Sequence, residues 1–197
     1  MEKDIFRSLT IFMTTWIIIG VIVLLALALV AMYNGLISSK NRVDEAWSDI
    51  DVQLKRRHDL IPNLIETVKG YAAHEQETFS QVVAARNNAV SAQASHDPAA
   101  VVKAENTLSS TLKSIFALAE NYPDLKANQN FLELQRDLTD TEDKIMASRR
   151  FYNTNARDFN TKLQSVPTNI FGRMLGFKDY AFFAAAEEEK EVVAVKF

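Results

Sequence analysis

Residues Ile11 to Met32 read IFMTTWIIIGVIVLLALALVAM, a run without a charge inside a wider uncharged stretch from Ser8 to Ser39. As a helix the run is roughly 33 Å long, enough for a hydrocarbon core of about 30 Å. Helix is the form open to a single span, because it satisfies each backbone N–H and C=O within the segment. A buried core helix would be shorter and broken by polar residues. A cleaved signal peptide would carry a shorter apolar region and a small-residue cleavage site. Ala26, Ala28 and Ala31 imitate such a site, but the run is long and closes in Tyr33-Asn34-Gly35. Trp16 and Tyr33 stand near opposite ends, where interfacial aromatics collect. The segment therefore reads as a retained transmembrane anchor.

Lys3 and Arg7 precede the run, and Lys40 and Arg42 follow it, so the count that sets membrane orientation ties. Lys55, Arg56 and Arg57 lie farther out and weigh less, leaving orientation open with a slight lean to a cytoplasmic bundle. The chain has no cysteine, hence no lipoprotein attachment site and no disulfide; that fixes no compartment. Its 197 residues suit one membrane segment plus one soluble domain. Lys and Arg total 22 against 25 Asp and Glu, a net charge of −3, which is no footprint for nucleic acid. With only 5 Gly and 4 Pro, punctuation is sparse and suits a few long helices.

Beyond the run, apolar residues recur at helical spacing. Leu36, Val43 and Ile50 form one row, and Trp47, Leu54 and Ile61 its neighbour. The span is expected to run into this helix with at most a bend at Gly35. Asp59 offers a cap for a fresh start, with Pro62 three positions in. A second stripe follows: Ile61, Leu64, Ile65, Val68, Ala72, Phe79, Val82, Val83 and Val90, with Gly70 a modest interior cost. Ser91 to His96 is a weak link, and Asp97-Pro98 a clear restart. The third stripe is Val101, Ala104, Leu108, Leu112, Ile115, Ala119 and Tyr122, stopped by Pro123. In the last helix Phe131, Leu138, Ile145, Tyr152, Phe159 and Val166 recur at strict heptad spacing, and Pro167 ends it. Heptads imply helices crossing at a shallow angle. The predicted fold is all-α: an N-terminal transmembrane helix followed by an antiparallel four-helix-type bundle of long helices. Its divisions are 1–10, a short tail; 11–32, the span; 33–167, the bundle; and 168–197, an aromatic and apolar tail. Of that tail, 170–177 is expected to cover its own bundle and 182–197 something else.

Several blocks carry a family resemblance. Tyr33-Asn34 is followed by Val43, Ala46 and Trp47; LKRRHDLIPNLIETVKGYAAHE runs from Leu54 to Glu75; FALAENYPDLKAN from Phe116 to Asn128; TEDKI from Thr141 to Ile145; and RRFYNTNARDFNTKLQSVP from Arg149 to Pro167. The chain resembles the LemA family of bacterial membrane proteins from Tyr33 onward. The resemblance implies a single N-terminal span, a soluble helical bundle and a bacterial plasma-membrane location. It maps no catalytic activity onto residues. Val192 to Phe197 departs from it in lacking a proline associated with the family's end.

The chemistry-bearing residues form no motif. His58, His74 and His96 lack a second His or Cys at ligand spacing, and His74-Glu75 is followed by Thr78 where a zinc-protease motif needs histidine. No phosphate loop or nucleophile elbow is present. Lys55-Arg56-Arg57 beside Asp51 and Asp59 reads as a solvated face of local ion pairs, with a headgroup or acidic partner as the sharper reading. Glu142 and Arg149 flank the heptad stripe two turns apart, so each needs a partner from another helix, such as Arg57, Arg86, Glu66 or Glu120. An ion pair setting helix register is the favoured account. In the turn from Glu120 to Leu125, Asp124 offers a cap for the next helix. No catalytic, cofactor-binding or metal residue is assigned, and no cofactor. The expected function is a non-enzymatic, membrane-tethered scaffold or regulator. Its partners are the lipid bilayer and a membrane protein or a second copy of the chain. A self-assembling structural protein is the alternative, and a cryptic hydrolase a lesser one. Full-length protein is expected to stay in the membrane pellet through alkaline carbonate washing, and its release would refute the anchor.

Overall fold

Nothing between Glu2 and Lys69 breaks a helix outright except Pro62, and that proline does not succeed. The computed structural model describes residues 2–183, with side chains from residue 12 onward. Its first helix, α1, is Glu2–Lys69, 68 residues without interruption. The restart expected at Asp59 is therefore corrected: Asp59 bonds Lys55 one turn earlier and caps nothing. An interior proline costs roughly 3 kcal/mol. Around it Ile61, Leu64 and Ile65 are buried, at about 1.5–3 kcal/mol each, and their packing outweighs the lost rung. Gly70, read as an interior residue, instead follows the helix end. Tyr71 and Ala72 N–H groups both return to the Val68 carbonyl, at 3.0 and 2.9 Å.

The next helix consequently begins late: α2 is Gln76–Ala94. Its buried face is Phe79, Val82, Ala85 and Ala89, whereas Val83 and Val90 of the expected stripe are exposed. Helix α3, Pro98–Ala119, starts as the sequence predicts: Asp97 Oδ1 accepts from Ala99 N–H at 3.0 Å and Pro98 fills the first turn. A short α4, Pro123–Lys126, takes Asp124 into its own first turn. Asn128 caps the next helix instead, accepting from Phe131 N–H at 3.1 Å. Helix α5 is Gln129–Gln164 and α6 is Thr168–Met174. The fold is all-α, with four long helices, α1, α2, α3 and α5, and no strand among the described residues.

Two compact units divide the chain. The larger comprises Val43–Arg157 and Tyr180–Phe197, of which the description ends at Phe183. Its core joins Ile61, Leu64 and Val68 of α1, the small face of α2, Leu108, Leu112 and Ile115 of α3, and Phe131 and Leu138 of α5. The heptad row stays buried through Ile145 and Tyr152. At one end Trp47 stacks on His96 and Phe183, centroids 5.6 and 5.4 Å apart, and meets Tyr152 edge-on at 5.5 Å. Phe183 is 3% exposed, and Asn153 brackets its backbone with two bonds of 2.9 Å. The Tyr152 hydroxyl donates to the Ala181 carbonyl at 3.1 Å, and burial, then the Asp44 carboxylate, pushes its pKa up to about 12. Tyr180, donating to Asp44 at 3.0 Å, is also raised, first by burial and then by that bond. The expectation that Phe183 covers something other than its own bundle is thus corrected. Residues 184–197 of that expectation lie outside the described residues.

The smaller unit comprises Met1–Arg42 and Asp158–Asp179. Leu36, Phe159 and Leu163 are buried there. Gly35 imposes no break; it admits Lys162, whose Nζ donates to the Gly35 carbonyl at 2.7 Å and to Ser39 Oγ at 3.2 Å. A Cβ on Gly35 would stand 3.0 Å from that Nζ. The heptad row ends at Phe159, because α5 stops at Gln164 and leaves Val166 79% exposed. Phe177 is half-buried between Tyr33 and Phe159, but Ile170, Phe171, Met174 and Leu175 are exposed. The expected covering of 170–177 by the bundle is corrected for those four. From Phe12 to Val30 every large apolar side chain is 40–67% exposed, and the helix is long and apolar enough to cross a membrane. Because Tyr152 is buried under aromatic neighbours, Tyr152→Asp is expected to destabilise the larger unit by several kcal/mol. An unchanged melting temperature by circular dichroism in detergent would place the row in water.

Candidate functional site

Arg57 and His58 are consecutive on α1, so their side chains leave the helix about 100° apart. Both are nevertheless buried, at 3% and 2% exposure. A single residue of α3 makes that possible. Glu105 Oε2 accepts from Arg57 Nη1 at 3.1 Å, and its Oε1 lies 2.7 Å from His58 Nε2. One turn on, Ser109 Oγ accepts from Arg57 Nη2 at 2.7 Å. The half-exposed Glu142 of α5 takes the same nitrogen at 2.8 Å and accepts from Ser109 Oγ at 3.3 Å. Arg86 of α2 closes the group by donating Nε–H to the His58 carbonyl at 2.8 Å. All four long helices thus meet at one polar knot.

Burial of a permanently charged guanidinium is tolerable only with its charge paired; here Nη1 and Nη2 are engaged, whereas Nε has no partner among the described residues. Glu105 serves two cationic or donor groups at once, and Glu142 adds a second carboxylate. A cleft of about 260 Å³ beside the knot is bordered by Arg57, Ser109, Lys113, Phe116 and Glu142. Ligand pockets run from about 300 Å³ upward, so this cleft is small for an organic substrate. Among the described residues, no group of three or more His, Asp or Glu is arranged to hold a metal.

The sequence reading placed Arg57 on a solvated face; it is instead the most deeply buried charge in the knot. Lys55 pairs locally with Asp59 as expected, whereas Arg56 reaches across to α5 and lies 3.7 Å from Asp140. The Lys55 bond holds the Asp59 carboxyl below the usual range, and a Lys144 bond does the same for Asp140. Glu142 finds Arg57, one of the partners anticipated for it. Arg149 lies over the Phe183 ring, 5.7 Å from its centroid. Glu105 and Ser109 were missed. The available signal was a glutamate standing four residues after Val101 and three before Leu108, on an apolar stripe. The turn from Glu120 to Leu125 is tied down by Tyr122, whose hydroxyl donates to Glu75 at 3.3 Å. Burial, then the Glu75 charge, raises that phenol's pKa.

A family model described as LemA family matches residues 46–197. The chain belongs to the LemA family. Protein LemA of Metamycoplasma hominis is 29% identical over 157 residues, covering 80% of this chain and 71% of that protein. Magnetosome protein MamQ of Magnetospirillum gryphiswaldense is 22% identical over 178 residues, covering 79% of this chain and 65% of its own length. Magnetosome protein MamQ 2 of Paramagnetospirillum magneticum aligns at the same identity and with the same shares. The LemA and MamQ relatives, with the apolar N-terminal helix, indicate a membrane-associated protein.

In this LemA-family chain the knot is expected to behave as a staple. Glu105→Ala would take the carboxylate from His58 Nε2 and Arg57 Nη1, leaving Arg57 only Glu142 and Ser109 through Nη2, and cost about 3 kcal/mol. Arg57→Met in that background should recover part of the loss. Denaturant unfolding in detergent micelles measures both, and an unaltered midpoint for Glu105→Ala would remove the knot from the stability account.

Proposed function

We propose that the protein is a scaffold or regulator of membrane-protein partners, anchored in the bacterial plasma membrane and without catalytic activity of its own. The observation that carries this reading is how the knot spends its chemistry. His58 and Glu105, groups suited to acid–base work, are each less than a tenth exposed and bonded to each other across helices, with the buried Arg57 held on the same carboxylate. Catalysis needs such groups within reach of a substrate. Here they hold the bundle, which leaves its outer faces for recognition.

One observation favours self-assembly as a second reading. Leu132 and Phe151 on α5 are 49% and 52% exposed, and Val52 on α1 62%. Aromatic and aliphatic groups on a helical surface suit contact with another helix.

Crosslinking in native plasma membranes, followed by mass spectrometry, separates the two. Reproducible crosslinks from the bundle to other membrane proteins are the expected result. Ladders made of this chain alone would favour self-assembly, and absence of either from a well-expressed protein would overturn both.

A further inference from the structure

Within the smaller unit, α6 packs against the last turns of the apolar run. Gly172 faces inward and is buried; a Cβ there would stand 2.5 Å from Leu163 Cδ1 and 3.3 Å from Leu36 Cδ1. Glycine is what lets so short a helix press this close. Thr168 Oγ1 reaches Met32 Sδ at 4.0 Å. Between α6 and α1 lies a groove of about 320 Å³, walled by Leu29, Met32 and Tyr33 on one side and Phe171, Met174 and Leu175 on the other.

The level of this groove is set by the anchor. Leu29 to Met32 form the final turn of the uncharged run, so on the spanning reading they stand at the edge of the hydrocarbon core. A helix touching them stands at the same level. There α6 and its C-cap residue turn outward Ile170, Met174 and Leu175, which are 58%, 79% and 56% exposed. Water would penalise that area by roughly 25 cal/mol per Å². Arg173 and Lys178 are exposed beside them, as suits the headgroup layer, where long cationic side chains reach for phosphate. Tyr33, edge-on to Phe177 at 6.1 Å, fits the aromatic belt of the same layer.

We propose that α6 lies in the membrane interface, with Ile170, Met174 and Leu175 among the acyl chains next to the anchor, so that the chain holds the bilayer at two places. The occupant of the groove and of the exposed face is lipid. This inference rests on the reading of Ile11 to Met32 as a span.

Because the chain has no cysteine, single nitroxide labels are unambiguous. Full-length Ile170→Cys and Met174→Cys would be labelled and reconstituted in vesicles of phosphatidylethanolamine and phosphatidylglycerol. Val23→Cys serves as a mid-span reference and Lys103→Cys as an aqueous one. Collision rates with oxygen, which partitions into lipid, and with a water-soluble nickel chelate are then compared by paramagnetic resonance. The expected result is a several-fold excess of oxygen over nickel at 170 and 174, between the ratios of the two references. Nickel dominating at 170 and 174, with Val23→Cys still shielded from it, would overturn the inference and leave the span standing. Exclusion of both reagents would mean that protein, a second copy or a partner, covers α6, and would overturn it too. Nickel reaching Val23→Cys would refute the span itself.

Discussion

Arg57 cannot escape its charge, and its burial therefore constrains the bundle more than any apolar contact does. A buried histidine or carboxylate can shed charge by changing protonation, but a guanidinium has a pKa above about 12 and must be paired in place. Its partners come from α3 and α5, and its neighbour His58 draws on the same Glu105. Apolar stripes of Leu, Ile and Ala tolerate a slip of one turn with modest loss, since one aliphatic residue replaces another. The knot does not: a slip of α3 would take Glu105 from both Arg57 and His58, and a slip of α5 would take Glu142 from Arg57. Buried polar groups that fix register in helical assemblies work in this way.

That division of labour explains what could be read from the chain. The heptad row of α5 and the Asp97-Pro98 start of α3 are local signals, and the structure carries both. Pro62 and Gly70 misled for one reason. A capping aspartate before a proline resembles a helix start, and an isolated glycine is a tolerable interior residue, but both rules weigh local cost alone. Burial of Ile61, Leu64 and Ile65 carries α1 through Pro62, and the chain turns at Gly70 so that Ala72 and Phe79 can enter the core. The knot was half legible. Glu142 visibly needed a partner from another helix, whereas Glu105 was hidden inside an apolar stripe, and its double engagement appears only once α1 and α3 are side by side.

The tail poses a harder question, because composition says that its apolar residues must be covered and not by what. The structure separates them by how their backbones are satisfied. Phe177 N–H still closes on the Gly172 carbonyl at 3.1 Å, but residues 178–183 lie in no helix. Their amides and carbonyls need outside partners, and Asn153 and the Tyr152 hydroxyl supply them around Phe183 and Ala181. A segment of that kind is expensive in hydrocarbon and stable against a polar-edged protein groove. Helix α6 is the opposite case. Its turns close on themselves, with Ile170 N–H returning to Pro167 and Leu175 N–H to Phe171. Such a helix can present Ile170 and Met174 to an apolar medium without stranding its own peptide groups. Aromatic and aliphatic residues a few positions apart thus meet different surroundings, because one stretch must borrow its hydrogen bonds and the other makes its own.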